Sequence, residues 1–110
     1  MPGFEPFDVV AVPFPYVERE VRKRRPTVVV SDRYGLLWVV MITSAAKSPW
    51  PDDVAIGDLA LAGLPKPSVV RPSKIATVEA TRCERIGRLP RDTASAVATE
   101  LRRTLVAIGV

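Results

Sequence analysis

Two runs of strand-forming residues, Thr27 to Ser31 and Leu36 to Thr43, meet at the tight turn Asp32-Arg33-Tyr34-Gly35. Valine, isoleucine and threonine have stiff side chains that pack well on a pleated surface, so an antiparallel hairpin is predicted. Both strands are too apolar for either face to be left in water, and the rest of the chain must cover them. Four consecutive cations, Arg22 to Arg25, lead into Pro26 and the first strand. Pro26 pushes Arg25 toward extended backbone at the mouth of that strand. Thr43 and Ser44 close the second strand, so pairing of the hairpin brings two hydroxyls back to the cations.

Further short elements surround the hairpin. Asp8 to Phe14 (DVVAVPF) is predicted as a first strand, with Pro13 near its end, where a missing N–H is tolerated. Pro15 to Arg25 reads as a loop of mixed charge, Ala45 to Asp53 as a second loop, and Val54 to Ile56 as a brief strand. Leu59 to Pro67 reads as a small-residue connection. Ser68 to Val70 and Ile75 to Glu79 read as two strands separated by Arg71-Pro72-Ser73-Lys74. From Arg91 the period changes. Ala94, Val97, Ala98, Leu101, Leu105 and Ile108 fall three or four apart and place one apolar stripe on a helix of about 17 residues. Asp92 or Thr93 is expected to cap its start and Gly109 its end, with Arg102 and Arg103 in the last turns complementing the dipole. The expected fold is α+β, a small half-open β-barrel with a C-terminal α-helix, one domain over residues 1–110.

Composition narrows the chemistry. Sixteen lysines and arginines oppose twelve acidic residues, and twelve of the sixteen are arginine, whose planar fork suits phosphate or carboxylate. An anionic polymer or an acidic partner chain is implied. Histidine is absent and Cys83 is the single cysteine, which excludes an internal disulfide and every multi-cysteine zinc pattern. Asp52-Asp53 is half of a metal site with no third ligand beside it, so no metal or cofactor is expected. The N-terminus carries no secretory pattern, and the apolar run Leu36 to Ile42 is far short of the ~20 residues a spanning helix needs. A cytoplasmic protein with no membrane partner is expected. A hydrophobic share of 47% points either to a subunit interface or to a large core.

Several segments resemble, in order and spacing, the PemK/MazF toxins of type II toxin–antitoxin systems. They are DVVAVPFP from Asp8 to Pro15, KRRPTVVVSD from Lys23 to Asp32, and Ile42-Thr43-Ser44. Ala62-Gly63-Leu64, Pro67-Ser68-Val69-Val70-Arg71, Lys74-Ile75-Ala76-Thr77 and Ile86-Gly87-Arg88-Leu89 follow in the same order. The resemblance runs from about Pro6 to Leu105. It implies an SH3-like barrel, a homodimer, metal-independent endoribonuclease activity on single-stranded RNA, and an acidic cognate antitoxin whose extended tail blocks the RNA groove. It also implies that Arg25 and Thr43 are catalytic and that Arg71 is a groove residue.

The residues suit that chemistry. Without metal, RNA is cut by attack of the ribose 2′-OH, giving a 2′,3′-cyclic phosphate and a 5′-OH. The phosphorane between them needs donors: Arg25 supplies a permanently charged guanidinium and Thr43 a hydroxyl. Arg24, Ser44, Arg71 and Ser73 are the expected RNA contacts. Each has a plainer alternative: a solvated charged face for Arg22 to Arg24, an ion pair with Glu18 or Glu20 for Arg25, and a turn cap for Ser44. For Arg71 the alternative is an ion pair with Glu79 or Glu84. Many relatives carry an aspartate where this chain has Ser73, which leaves Asp8, Glu18, Glu20 and Glu79 as candidate proton acceptors. Trp38 is expected in the core. Trp50, between Pro49 and Pro51, suits base stacking, a partner contact or a lid over the barrel. Arg82 and Arg85 are expected to lower the pKa of Cys83, which without a histidine is no nucleophile. Two other functions fit the same barrel. One is RNA binding without cleavage. The other is a CcdB-like gyrase inhibitor, although Ile108-Gly109-Val110 lacks that family's tryptophan.

Overall fold

The computed structural model describes residues 3–13, 24–47 and 49–109. Six strands and two α-helices follow in the order β1 (Asp8–Pro13), β2 (Arg24–Arg33), β3 (Leu36–Ser44), β4 (Val54–Ala55), α1 (Leu59–Ala62), β5 (Ser68–Glu79), β6 (Glu84–Arg88) and α2 (Arg91–Ala107). One sheet holds all the strands, in the spatial order β4-β5-β3-β2-β1-β6, and each pairing is antiparallel. The expected α+β half-open barrel is what forms.

The predicted hairpin is its centre. Tyr34 and Gly35 both have positive φ, 58° and 76°, as a two-residue turn matching the strand twist requires. β2 and β3 then pair from Arg33↔Leu36 back to Thr27↔Met41. Apart from Leu36 and Trp38, which stay about half exposed, their apolar residues are buried or half-buried on both faces. Val28, Val40 and Ile42 pack with Val9, Val70, Leu89 and Val97 of α2 on one side. Val29, Leu37 and Val39 pack with Val10 and Val12 on the other.

β5 corrects one expectation. The two strands read around Arg71-Pro72-Ser73-Lys74 are a single strand, paired with β3 along both of its halves. The register jumps from Val40↔Ile75 to Met41↔Arg71, so Pro72, Ser73 and Lys74 bulge out of the ladder. A proline without an N–H and two polar neighbours are suited to such a bulge.

The barrel does not close by hydrogen bonds between β4 and β6. Instead α1, following β4, packs its backbone on β6. Asp58 caps α1, its side chain accepting from the Leu61 N–H, and Gly63 ends it in the left-handed conformation at φ 75°. A Cβ on Gly63 would lie 2.0 Å from the Ile86 carbonyl oxygen, and one on Gly87 would lie 2.3 Å from the Ala62 carbonyl carbon. Two of the family-like segments, Ala62-Gly63-Leu64 and Ile86-Gly87-Arg88-Leu89, are therefore the two sides of one seam. The expected connection at Leu59 to Pro67 thus contains a short helix.

α2 spans 17 residues, as predicted. Its caps differ from the expectation. Pro90 stands at the N-cap without a side-chain bond, and Thr93 turns inward to accept the Gly57 N–H at 3.2 Å. Arg102 and Arg103 precede the last turn, and Arg103 pairs with Glu100 at 3.1 Å. Gly109 does end the helix region, with φ 84°. Thr93 and Val97 are buried with Ala94 and Leu101 against the sheet, but Leu105 and Ile108 are exposed, so only the first half of the stripe finds a core. Trp38 is likewise 52% exposed rather than in the core: it shares the face of β3 that carries Val40 and Ile42, but lies outside the cluster they form with α2.

Candidate functional site

Strand register decides which polar side chains meet. Arg25 pairs with Val12 on one side. On the other, β2 and β3 are last in register at Thr27↔Met41, and Arg25 and Thr43, each two residues further toward the strand ends, line one concavity. Met41 pairs in turn with Arg71 of β5. The bulge after Arg71 then carries Ser73 and Lys74 to the same side. The result is a concavity of about 380 Å³ lined by Arg25, Thr43, Arg71, Ser73 and Lys74 over an apolar floor that includes Met41, Ile42 and Ile75. Four of the six expected site residues, Arg25, Thr43, Arg71 and Ser73, come together here.

Arg24 and Ser44 lie elsewhere. Arg24 points away from the concavity and pairs with Glu84 at 2.6 Å, both side chains being more than half exposed. Such a pair in water contributes little to stability. The Ser44 hydroxyl accepts the Ala46 N–H at 3.2 Å, the turn-capping role that was its alternative.

Arg71 is nearly buried, and its ionic partner is neither Glu79 nor Glu84 but Asp53. Its Nε donates to Asp53 Oδ1 and its Nη2 to Asp53 Oδ2, both at 2.9 Å, a two-pronged pairing of the geometry arginine favours. The Arg71 guanidinium holds the Asp53 carboxyl below the usual carboxylate range, helped by the Trp50 N–H and opposed by burial. Arg71 is correspondingly raised by the hydrogen bond from its side chain to Asp53, against desolvation. The ring of Trp50 lies over the guanidinium, 4.2 Å from centroid to Cζ. Asp53 also accepts the Trp50 N–H at 2.8 Å and donates its own N–H to the Trp50 carbonyl at 3.0 Å. The turn from Trp50 to Asp53 is thereby fixed on itself and on Arg71.

Its neighbour Asp52 turns the other way and accepts a hydrogen bond from the Ser73 hydroxyl. The adjacent carboxylates thus serve two different partners. No three of the histidine, cysteine, aspartate or glutamate side chains among the described residues are grouped to hold a metal ion.

The candidate proton acceptors fare unequally. Asp8 is 2% exposed and takes hydrogen bonds from Arg85 at 2.7 and 3.0 Å and from the Glu5 N–H at 2.8 Å, away from the concavity. Glu79 stands at the far end of β5 opposite Leu36. Glu18 and Glu20, and with them the expected first loop up to residue 23 and Val110, lie outside the described residues, whereas Arg24 and Arg25, expected in that loop, begin β2. Two carboxylates reach the lining residues, Asp52 through Ser73 and Asp53 through Arg71. Sequence reasoning missed Asp52, Asp53 and Lys74 as site residues. Partners 18 and 21 positions apart leave no local pattern. The Cys83 expectation is also corrected: burial pushes its thiol up, and the cation that opposes this is Arg24, not Arg82 or Arg85.

The sequence matches, over residues 5–105, the family model described as PemK-like, MazF-like toxin of type II toxin–antitoxin system. The chain belongs to this family. Among solved structures, it is similar to MazF (Form-I) from Deinococcus radiodurans, with 24% identity, 96% of this chain and 99% of that one covered, and a TM-score of 0.73. It is equally similar to a MazE–MazF complex (Form-I) from Deinococcus radiodurans, at 23% identity, the same 96% and 99% coverage, and a TM-score of 0.74. An endoribonuclease in complex with its cognate antitoxin, from a mycobacterial species, matches at 19% identity, 96% coverage of both chains and a TM-score of 0.72. A search of curated proteins finds no significant match. For this family member, the segments on either side of the Gly63–Gly87 seam and the Arg25–Thr43 pair are parts of one barrel, one building it and the other lining it. No helix among the described residues is long and apolar enough to cross a membrane.

Proposed function

We propose that this toxin is a metal-independent endoribonuclease that cuts single-stranded RNA in the cytoplasm by attack of the 2′-OH on the adjacent phosphate. The observation that carries the proposal is the convergence of Arg25 and Thr43, from paired strands, in a concavity that also holds Lys74 and Ser73. In the reaction the 2′-oxygen bonds to phosphorus, the bond from phosphorus to the 5′-oxygen breaks, and a 2′,3′-cyclic phosphate and a 5′-OH result. The Arg25 guanidinium and the Thr43 hydroxyl donate to the non-bridging oxygens as their charge rises, which is where fixed donors lower a barrier most. Lys74 neutralises a flanking phosphate. Arg71, held by Asp53 and Trp50, acts as a rigid wall of the groove.

An acidic antitoxin segment fits the same cations, and the likeness to toxins solved with an antitoxin supports that partner. The exposed apolar residues Leu105 and Val106 of α2 and Ile108 just after it support a homodimer. One observation favours a second reading, RNA binding without cleavage: no carboxylate among the described residues lines the concavity itself. Incubation of the protein with a single-stranded oligonucleotide in EDTA decides between them. Cleavage that is lost in Arg25→Ala supports the proposal, and retention of intact RNA supports the second reading.

A further inference from the structure

The loop between β3 and β4 does more than neutralise Arg71. It presents a tryptophan, 39% exposed, beside a groove whose other polar residues are cations and hydroxyls. The ring is held from several directions. Arg71 sits under it at 4.2 Å, and Lys74 Nζ stands 5.9 Å from its centroid. Its own N–H and carbonyl are tied to Asp53, and Pro49 and Pro51 flank it. A large apolar ring left partly in water costs free energy unless something covers it. One already fixed in place gives up little conformational entropy when it is covered.

We propose that Trp50 is the stacking platform for one unpaired base of the RNA strand, adjacent to the phosphate held in the groove. This assignment rests on the RNA reading given above. A nucleotide matches the arrangement in both of its parts. Its flat base stacks on the exposed part of the Trp50 ring, and its phosphate takes the cations beside it, Lys74 and Arg25. An acidic peptide segment matches less well, because its carboxylates would compete with Asp53 for a guanidinium already bound on two nitrogens. Stacking accepts every base, so the platform sets where a strand must be unpaired rather than which base it carries. Duplex RNA, whose bases are stacked on one another, is excluded at this position.

The test uses the Trp38→Phe variant, in which Trp50 is the sole tryptophan, and short single-stranded oligonucleotides with 2′-O-methyl groups, which cannot be cut. Each oligonucleotide is paired with versions lacking the base at one position. Binding is followed by tryptophan emission and, independently, by anisotropy of a labelled strand. The expected result is quenching of Trp50 on binding, with one position at which base removal abolishes the quenching and weakens binding about 5- to 150-fold. Trp50→Ala should lose the same factor and become indifferent to the base at that position, while Trp50→Phe should recover most of it. If RNA binds but Trp50→Ala weakens base-bearing and base-less strands equally at every position, the ring is structural and the proposal is overturned. Quenching by a poly-glutamate peptide but not by RNA overturns it in favour of a partner chain. Absence of any RNA binding by the wild-type chain overturns the functional reading itself, and is read from anisotropy without reference to Trp50.

Discussion

Replacing Gly87 by alanine should unfold the barrel at a markedly lower temperature. The added Cβ would meet three backbone atoms of α1, the Ala62 carbonyl carbon at 2.3 Å, its oxygen at 2.4 Å and the Leu61 oxygen at 2.6 Å. Comfortable carbon contacts begin near ~3.5 Å, so α1 would have to retreat by about 1 Å. No side chain can swing aside to relieve the clash, and α1 is held at both ends, by the Asp58 cap and by Gly63. Forced overpacking of this kind costs roughly 1–3 kcal/mol, and a backbone clash belongs at the upper end. For a chain of this size 3 kcal/mol lowers the melting temperature by about 12–24 °C. Thermal unfolding followed by circular dichroism at fixed protein concentration measures it. Gly57→Ala is the control, since its nearest contact would be the Thr93 hydroxyl at 3.9 Å. A Gly87→Ala protein that melts within about 2 °C of wild type would refute the seam as the element that holds the open barrel together.

Arg25→Ala and Thr43→Val should each lower single-turnover cleavage by ~10²–10³, the loss typical of a donor to a developing oxyanion, with an unchanged melt. Equal rates in mutant and wild type would remove both from the active site. Ser73→Asp should raise the rate at saturating RNA by placing a carboxylate inside the groove, where a positioned base contributes ~10²–10⁴. Its proximity to Asp52 should also move the pH profile upward, because two adjacent carboxylates resist ionising together. A rate at or below wild type would put the proton acceptor elsewhere, with Asp52 the first residue to replace. The depressed pKa of Asp53 fixes a pH dependence. Its contribution to stability is present above the ordinary value of 3.8 and is lost as pH falls through the lower, folded value. Acid titration of Trp50 emission in Trp38→Phe should show a transition below pH 3.8 that Asp53→Asn abolishes, and an identical titration in Asp53→Asn would contradict the ion pair.

The hairpin and the last helix were legible because their information is local. Apolar runs, a turn ending in Gly35 and a repeat of three and four residues each act within one element. The meeting of Arg25 and Thr43 was only partly legible: the register set at the turn, Arg33↔Leu36, would carry Arg25 to Ser44, and the bulge between Val29 and Ser31 shifts it by one residue toward Thr43. What escaped was made by long-range packing. Ser68 to Glu79 became one strand because β3 pairs with both of its halves and lets Pro72 to Lys74 bulge. Trp38 was misplaced because its exposure depends on how far along the sheet α2 extends. The Asp53–Arg71 and Asp52–Ser73 contacts were invisible because a loop without regular structure brings them together.

The product ends of RNA cleavage test the central claim most directly. A single-stranded oligonucleotide is incubated with wild-type and Arg25→Ala protein in excess EDTA, and the termini are identified by mass. Wild-type protein should leave a 2′,3′-cyclic phosphate and a 5′-OH, and Arg25→Ala should leave the strand essentially intact. Cleavage that requires Mg²⁺, or that yields a 5′-phosphate, would contradict attack by the 2′-OH in the groove of Arg25 and Thr43.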